Sequence, residues 1–155
     1  MGYIHDLRKL VGTRPIIMVG ANVILLNKNN EVLMQLRTDN QTWGLAGGAI
    51  EPGERLEEAA KRELHEETGL IAKQLTFFNI FSGEEFYYKY PHGDEVYNVI
   101  TSYICREYEG NLKVDEHEVR ALQFFPLNEL PSNINPVEIP IIQKFLSAQK
   151  ELQTK

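Results

Sequence analysis

The acidic segment between Gly48 and Leu70 is the part of the sequence whose residue types most clearly predict chemistry. It contains seven glutamates against three basic residues, so it carries four of the six net negative charges of the whole chain. On a helix, at ~100° per residue, Glu63 and Glu67 would lie roughly 40° apart, and Glu66 roughly 60° from Glu63 on its other side. Like charges this close repel one another. The segment therefore predicts a carboxylate site for a hard divalent cation, Mg²⁺ or Mn²⁺.

The spacing of the residues in this segment forms a motif. Gly48 is followed by Glu54 and then by the run Arg62-Glu63-Leu64-His65-Glu66-Glu67-Thr68-Gly69-Leu70. This spacing resembles the box of the Nudix hydrolases, G-x5-E-x7-R-E-U-x-E-E-x-G-U with U an aliphatic residue, at every fixed position. A charge run is more often a solvated helix face balanced by neighbouring basic side chains. The complete match disfavours that alternative here.

The resemblance implies both a fold and a reaction. The fold is expected to be α+β, with a mixed β-sheet packed between helices as an α/β/α sandwich. The reaction is expected to be hydrolysis of a diphosphate bond in a nucleotide-like substrate. Bound Mg²⁺ or Mn²⁺ would acidify the attacking water and neutralise the phosphate oxygens, while a glutamate accepts the proton.

The same resemblance assigns the metal ligands. Glu66 and Glu67 are expected to bind the cation, and Glu63 is either a further ligand or the catalytic base. Glu54 would bind metal or water where the helix begins. The backbone carbonyl of Gly47 would also bind metal, because glycine lets the main chain come close to the ion.

Two further catalytic assignments concern residues that do not touch the metal. Arg62 cannot lose its charge, so it is expected to hold a box glutamate in place by a salt bridge. In some family members the base comes from a later loop, and Glu116 and Glu118 are the candidates for that role here. One departure from the family concerns the loop before the glycine pair, where Ala46 replaces the proline of many relatives.

Candidate substrate contacts lie outside the motif. Arg37 stands where several family members place a phosphate contact, although a plain surface arginine fits equally well. Trp43 would stack on a base or fill the core. Tyr87 and Tyr88 match the position of a tyrosine in members that act on dinucleoside polyphosphates. Glu85 stands where many ADP-ribose-cleaving members carry a proline.

The substrate is accordingly predicted to be a dinucleoside polyphosphate or a nucleoside or deoxynucleoside triphosphate. The alternative enzyme is a pyrophosphatase that acts on ADP-ribose or NADH. RNA 5′ ends are a further candidate substrate, although the sequence shows no track of basic residues that would bind them. A non-catalytic Nudix module that senses a nucleotide is a different class of function. Non-catalytic relatives commonly lose box glutamates, and this chain keeps all of them.

The elements that must position these residues follow from local patterns. The most secure is a helix over residues 55–68, rich in good helix formers and followed by Gly69 as a left-handed C-cap. Residues 16–26 and 31–37 predict two strands paired as a hairpin. The glycine-rich residues 43–48 predict either a bend or a site of close backbone approach. Further strands are expected at residues 75–81, 86–90, 96–106 and 121–125.

Length and composition predict one domain over residues 1–155, with a helix and lead-in in residues 1–14 and a C-terminal helix in residues 136–150. The net charge of −6 argues against nonspecific binding to nucleic acid or anionic membranes. The sequence has neither a membrane span nor a signal peptide, so a cytoplasmic protein is expected. The single cysteine, Cys105, predicts a buried strand residue. Oligomeric state is not readable, although dimers are frequent in the family.

Overall fold

The structure, a computed structural model, describes residues 2–114 and 117–153. In this part of the chain, two β-sheets are packed with three α-helices and one short 3₁₀ helix (Glu84–Phe86). The elements are α1 (Tyr3–Val11), β1 (Ile16–Leu25), β2 (Glu31–Arg37), β3 (Trp43–Gly44), β4 (Ala46–Ala49), α2 (Leu56–Thr68), β5 (Ile71–Phe81), β6 (Tyr87–Lys89), β7 (Glu95–Glu109), β8 (Val119–Pro126) and α3 (Ile139–Gln153).

The larger sheet is mixed, as predicted. Its strands lie in the order β4-β1-β7-β5, with β6 paired to the first part of β7. Strand β1 runs parallel to β7, from Ile16 opposite Val96 to Leu25 opposite Cys105, and antiparallel to β4. The smaller sheet has the order β3-β2-β8.

Helices α2 and α3 cover opposite faces of the larger sheet, because successive side chains of a strand point to opposite sides. The last six residues of β1 are all buried. Leu25 packs in one core cluster with Leu64 of α2, whereas Ile24 packs in a second cluster with Ile141 of α3. This arrangement confirms the predicted α/β/α sandwich.

Helix α2 begins and ends where the sequence predicts. The Arg55 N–H donates to the Glu58 carboxylate at 3.0 Å, so a first-turn glutamate satisfies one N–H that the helix leaves unpaired. At the other end, Gly69 adopts φ 81° and ψ −6°, and its N–H bonds to the His65 carbonyl. A left-handed residue here favours glycine, which is why the helix stops before β5.

The predicted hairpin of the first two strands is wrong. Strands β1 and β2 belong to different sheets, and a single isolated bridge between Leu26 and Val32 joins the two segments. Strand β1 instead pairs with β7 along one edge and with β4 along the other, and both partners lie farther along the chain than β2. Residues 43–48 form the short strands β3 and β4 and not a bend, but the alternative of a close backbone approach is confirmed at Gly47, where a Cβ atom would lie 2.4 Å from the Ala21 carbonyl oxygen.

The remaining boundaries differ by a few residues. Strand β5 begins at Ile71, earlier than expected, and bulges against β7. The strand expected at residues 86–90 is a 3₁₀ turn followed by the three residues of β6. Helix α3 begins at Ile139, with Pro140 in its first turn, where a missing N–H costs no helical hydrogen bond. Cys105 is fully buried, as predicted.

No helix in residues 2–114 and 117–153 is long and apolar enough to cross a membrane.

Leu64 is the residue through which α2 is anchored to the core, with 0% of its surface exposed. We expect Leu64→Ala to lower the free energy of unfolding by about 2–5 kcal/mol, because it leaves a cavity under the helix. Urea unfolding followed by circular dichroism measures this change. Leu152→Ala, at a side chain that is 68% exposed, is the matched control and should change stability by less than about 0.5 kcal/mol.

Candidate active site

Arg62 lies at the centre of the box glutamates. Its Nε and Nη2 donate to the two carboxylate oxygens of Glu54, at 2.7 and 3.0 Å. Its Nη1 donates to Glu63 Oε1 at 2.8 Å and to Glu66 Oε2 at 3.4 Å, and its Nη2 also reaches the Ala49 carbonyl at 3.2 Å. One guanidinium therefore orients three carboxylates and ties α2 to the end of β4.

This ion pair fixes the charges of its members. The hydrogen bond from Arg62 lowers the pKa of Glu54 below its usual value. In return, the bond to Glu54 is the largest factor that raises the pKa of Arg62, although partial burial opposes it. Glu54 therefore stays ionised well into the acidic range. It also accepts a hydrogen bond from the Glu51 N–H at 3.0 Å, which closes the loop before α2.

Glu67 is in a different environment, because only 3% of its surface is exposed. Its Oε1 accepts hydrogen bonds from Gln35 Nε2 at 2.7 Å and from the Gly47 N–H at 3.1 Å. Burial, followed by the nearby charge of Glu63, raises the pKa of Glu67 well above its usual value. Glu67 and Gly47, both expected to bind metal, are thus in direct contact.

Glu63 completes this group from the side of the glycine pair. A Cβ atom on Gly48 would lie only 2.6 Å from the carboxyl carbon of Glu63, and one on Gly47 would lie 2.4 Å from the Ala21 carbonyl oxygen. Gly47 is required by close approach, because it lets β4 lie against the backbone of β1, whereas Gly48 leaves room for the present position of the Glu63 carboxylate. The oxygens of Glu63 and Glu67 meet at this point.

The donor set fits a divalent cation, although the carboxylates are not gathered around one point. Within the described residues, no three histidine, cysteine, aspartate or glutamate side chains form a preassembled metal cluster. The ion pairs of Arg62 explain this, because they draw Glu54, Glu63 and Glu66 toward the guanidinium. The Glu66 side chain is 54% exposed and so has room to turn. All the donors are hard oxygens, which Mg²⁺ and Mn²⁺ prefer.

A pocket adjoins the glycine pair. Gly47 and Gly48 form one edge of it, and side chains from both sheets and from the segment before α3 form the rest. Its aromatic, charged and amide side chains are those of Arg37, Tyr88, Tyr90, Asn98, Asn22, Asn135 and Glu138. Aromatic walls with a few convergent polar groups are typical of a small-molecule site.

The structure separates the two candidate tyrosines, because neighbouring residues of a strand face opposite sides. Tyr88 lines the pocket, its hydroxyl accepts a hydrogen bond from Asn40 Nδ2 at 2.7 Å, and its ring meets that of Tyr90 edge-on at 4.9 Å. Tyr87 points to the other face, where its hydroxyl donates to Glu95. Only Tyr88 is placed to contact a ligand in the pocket.

Arg37 lines the same pocket but is already paired. Its Nε and Nη2 donate to the two oxygens of Asp39, each at 3.0 Å. Although burial alone would lower the pKa of Arg37, the hydrogen bond to Asp39 raises it above its usual value. A role as a phosphate contact therefore requires Arg37 to share its donors with Asp39.

The other candidates lie elsewhere. The half-buried Trp43 ring packs edge-on against Phe125 at 5.0 Å, in the core cluster beneath α3. Glu118 lies in the exposed turn before β8, and its carbonyl accepts a hydrogen bond from the Thr38 N–H. Glu116 lies outside the described residues. The role of a loop glutamate as base stays a prediction.

Glu138, just before α3, is a buried residue of the pocket that was not among the candidates from the sequence. Its Oε1 accepts a hydrogen bond from the Leu45 N–H at 2.7 Å, and the carboxylate lies so close to Gly44 that a Cβ there would overlap it. Burial raises the pKa of Glu138 to about 7. No local signal marks this residue, because a glutamate near the start of a helix is common.

The raised pKa of Glu138 predicts how stability changes with pH. Between its usual pKa of 4.5 and about 7, the folded state holds a proton that the unfolded state has released. The carboxyl group therefore stabilises the fold at low pH, and this contribution is lost as the pH rises toward 7. We expect Glu138→Gln to lose less stability than the wild type between pH 5 and pH 7. Equal slopes in thermal unfolding of the two proteins would contradict this expectation.

The chain is similar in sequence and in fold to known proteins. A family model described as "NUDIX domain" matches residues 17–145. A relative from Methanocaldococcus jannaschii named "ADP-ribose pyrophosphatase" is 34% identical over 110 residues, 69% of this chain and 61% of the relative. The chain therefore spans less than two thirds of that relative's length.

A second relative, named "RNA pyrophosphohydrolase" and found in Zymomonas mobilis, is 28% identical over 142 residues, 83% of this chain and 91% of the relative. Among solved structures, the MutT protein of Methanosarcina mazei superimposes with a TM-score of 0.73 at 18% identity, covering 88% of this chain and 98% of that one. At this identity, the structural likeness shows the fold alone.

Proposed function

The chain belongs to the Nudix hydrolase family, and from that premise we propose that it hydrolyses a diphosphate bond in a free nucleotide with the help of Mg²⁺ or Mn²⁺. The observation that carries the proposal is the contact between the box glutamates and the glycine pair, at the edge of a pocket with aromatic walls. The phosphates would lie at the glutamates while the nucleoside occupies the pocket.

The cation would be held by Glu63, Glu66 and Glu67 together with the carbonyl of Gly47, with Glu54 at the beginning of the helix. When bound, it supplies the positive charge that acidifies water and stabilises the phosphate oxygens. The chain's own task is to keep its ligands deprotonated and oriented. Arg62 orients Glu54, Glu63 and Glu66, while the N–H donors of Gln35 and Gly47 orient Glu67 and favour its ionised form against the opposing effect of burial.

The proton of the attacking water goes to a glutamate. We assign this role to Glu63 or Glu66, because each has only one carboxylate oxygen in contact with Arg62 and can accept a proton on the other. Glu118 is the alternative, acting from the turn before β8. No covalent intermediate is needed, since a water molecule acts as the nucleophile and a glutamate accepts its proton.

The pocket favours one base of a nucleoside triphosphate or of a dinucleoside polyphosphate as its occupant. The Tyr88 and Tyr90 rings offer stacking surfaces, while Asn98 and Glu138 offer polar groups that can read a base edge. Asn98 is held in place because its Nδ2 donates to the Phe86 carbonyl at 3.0 Å. The relatives reported above carry names for ADP-ribose and RNA substrates, so neither substrate class follows from relatedness alone.

Charge and sequence disfavour those two classes. An RNA end would be held better by a basic track, whereas this chain has a net charge of −6. The position at which many ADP-ribose-cleaving relatives carry a proline is occupied by Glu85, in the short 3₁₀ helix. A free nucleotide with one base in the pocket is the better fit.

Phosphate or pyrophosphate release tests this proposal. The panel contains nucleoside triphosphates, dinucleoside polyphosphates, ADP-ribose, NADH and a 5′-triphosphorylated RNA, each with Mg²⁺ or Mn²⁺. We expect turnover of a triphosphate or dinucleoside polyphosphate, and none when EDTA is added. Tight nucleotide binding without any turnover would contradict the enzyme and support the sensor module. Preferential turnover of ADP-ribose or RNA would overturn the substrate assignment.

The two neighbouring tyrosines provide a matched test of the pocket. We expect Tyr88→Ala to raise KM for the nucleotide about tenfold, because stacking of a base on an aromatic ring contributes about 1–3 kcal/mol. Tyr87→Ala removes a ring of the same size from the opposite face and should leave KM within about twofold of the wild type. Steady-state kinetics on the best substrate measures both. A larger effect from Tyr87 than from Tyr88 would place the nucleoside elsewhere.

A further inference from the structure

Gln35 is a buried amide in the middle of an apolar strand. Only 2% of its surface is exposed, and it follows Met34, which is equally buried. Its strand, β2, belongs to the smaller sheet, whereas its hydrogen-bond partner Glu67 lies on α2. A polar side chain from the second sheet therefore reaches the one box glutamate that Arg62 does not contact.

The hydrogen bonds to Glu67 are asymmetric. Gln35 Nε2 and the Gly47 N–H both donate to the same oxygen, Oε1, at 2.7 and 3.1 Å. Two donors on one oxygen fix the rotation of the carboxylate and direct its second oxygen, Oε2, away from both. The carboxylate of Glu63, a second candidate ligand, also contacts Glu67, so the two donors hold Glu67 beside that neighbouring candidate ligand.

The other end of the Gln35 amide is unpaired. Among the residues that the structure describes, Gln35 Oε1 is one of two buried side-chain polar atoms without a hydrogen-bond partner. A buried acceptor without a partner is uncommon in folded proteins, so a donor from a bound group is expected at this oxygen. The waters of a hydrated cation are O–H donors, and Mg²⁺ usually keeps several of them when a protein binds it.

We propose that Gln35 is a positioning residue for the cation: its N–H orients Glu67, and its unpaired oxygen accepts a hydrogen bond from a cation-bound water. The inference rests on the proposed function, because Glu67 is a ligand only if that proposal holds. Groups that orient metal ligands through hydrogen bonds typically change metal affinity 10- to 100-fold when they are removed. Gln35 should therefore control how tightly the cation binds, even in the absence of nucleotide.

The test is Mn²⁺ binding to the nucleotide-free protein, measured by electron paramagnetic resonance. We expect Gln35→Met, which keeps the size and loses both polar atoms, to raise the Kd for Mn²⁺ at least about tenfold. The thermal midpoint without metal should change by less than about 3 °C, because loss of one hydrogen bond is offset by removal of an unpaired acceptor. Gln123→Met, at an exposed position of β8 opposite Met34, is the matched control and should bind Mn²⁺ as the wild type does.

Gln35→Asn keeps the amide but shortens the side chain, so it should also weaken Mn²⁺ binding. This second variant replaces Gln35→Met in the test if the methionine variant does not fold. Wild-type Mn²⁺ affinity in a folded variant, while the wild-type enzyme hydrolyses a nucleotide, would overturn this inference and leave the proposed function standing. A fall in affinity that Gln123→Met reproduces would also overturn it. If the wild-type protein neither binds Mn²⁺ nor hydrolyses any nucleotide, the proposed function itself fails.

Discussion

Glu67→Gln is expected to lower kcat by at least ~100-fold while the fold stays intact. A glutamine side chain can still accept the hydrogen bonds from Gln35 and Gly47, because both arrive on one oxygen. It cannot supply the negative charge that a divalent cation requires. The loss should therefore appear in turnover and metal affinity and not in secondary structure.

The measurement compares kcat at saturating Mg²⁺ and nucleotide with the thermal midpoint in EDTA. In metal-free solution the variant should be at least as stable as the wild type, because burial and the charge of Glu63 already disfavour the ionised form of Glu67. Glu57→Gln is the matched control, since Glu57 lies on the same helix with its side chain exposed. Near-wild-type turnover by Glu67→Gln would show that this residue is not a metal ligand.

The second large effect is expected from Arg62→Lys, which we predict to lower kcat about 10- to 100-fold. Lysine keeps the charge but replaces a planar fork with a single ammonium group, which cannot bind Glu54 through two parallel hydrogen bonds while holding Glu63 and Glu66. The carboxylates would then lose their common orientation. KM for the nucleotide should change little, because Arg62 contacts the proposed cation ligands and does not line the pocket.

Steady-state kinetics separates these two parameters. Lys61→Arg, at the exposed neighbouring position of α2, is the control for a change of the same chemical kind. A rise in KM with unchanged kcat would mean that Arg62 contacts the substrate directly. Unchanged kinetics in Arg62→Lys would mean that charge alone, without the fork, organises the glutamates.

The local part of this protein was readable from its sequence. The box, its helix and the glycine that ends it depend on residues close together in the chain, since helical hydrogen bonds join positions four apart. The expected salt bridge of Arg62 is of the same local kind, but the structure extends it to Glu54, Glu63 and Glu66 at once. The assignment of these residues to catalysis stays a prediction that the kinetics above would test.

The pairing of strands was not readable, because it joins residues far apart in the chain. Strand β1 takes β7 as a neighbour about eighty positions later, as in the pair Val23 and Tyr103, and not the adjacent β2. That choice depends on which strands the packed layers bring to the two edges of β1, a property of the assembled sandwich. The predicted hairpin failed for this reason.

The pocket and the support of Glu67 were decided by the tertiary structure alone. Tyr87 and Tyr88 are the same residue type, and the sequence cannot distinguish their roles. The register of β6 distinguishes them, because it directs the Tyr88 ring into the pocket and the Tyr87 ring away from it. Glu138 and Gln35 belong to no sequence motif. Each one is placed in the site by a hydrogen bond with a partner more than thirty positions away in the chain. A sequence pattern records spacing along the chain, whereas these contacts depend on which buried polar groups the packed sheets and helices bring together.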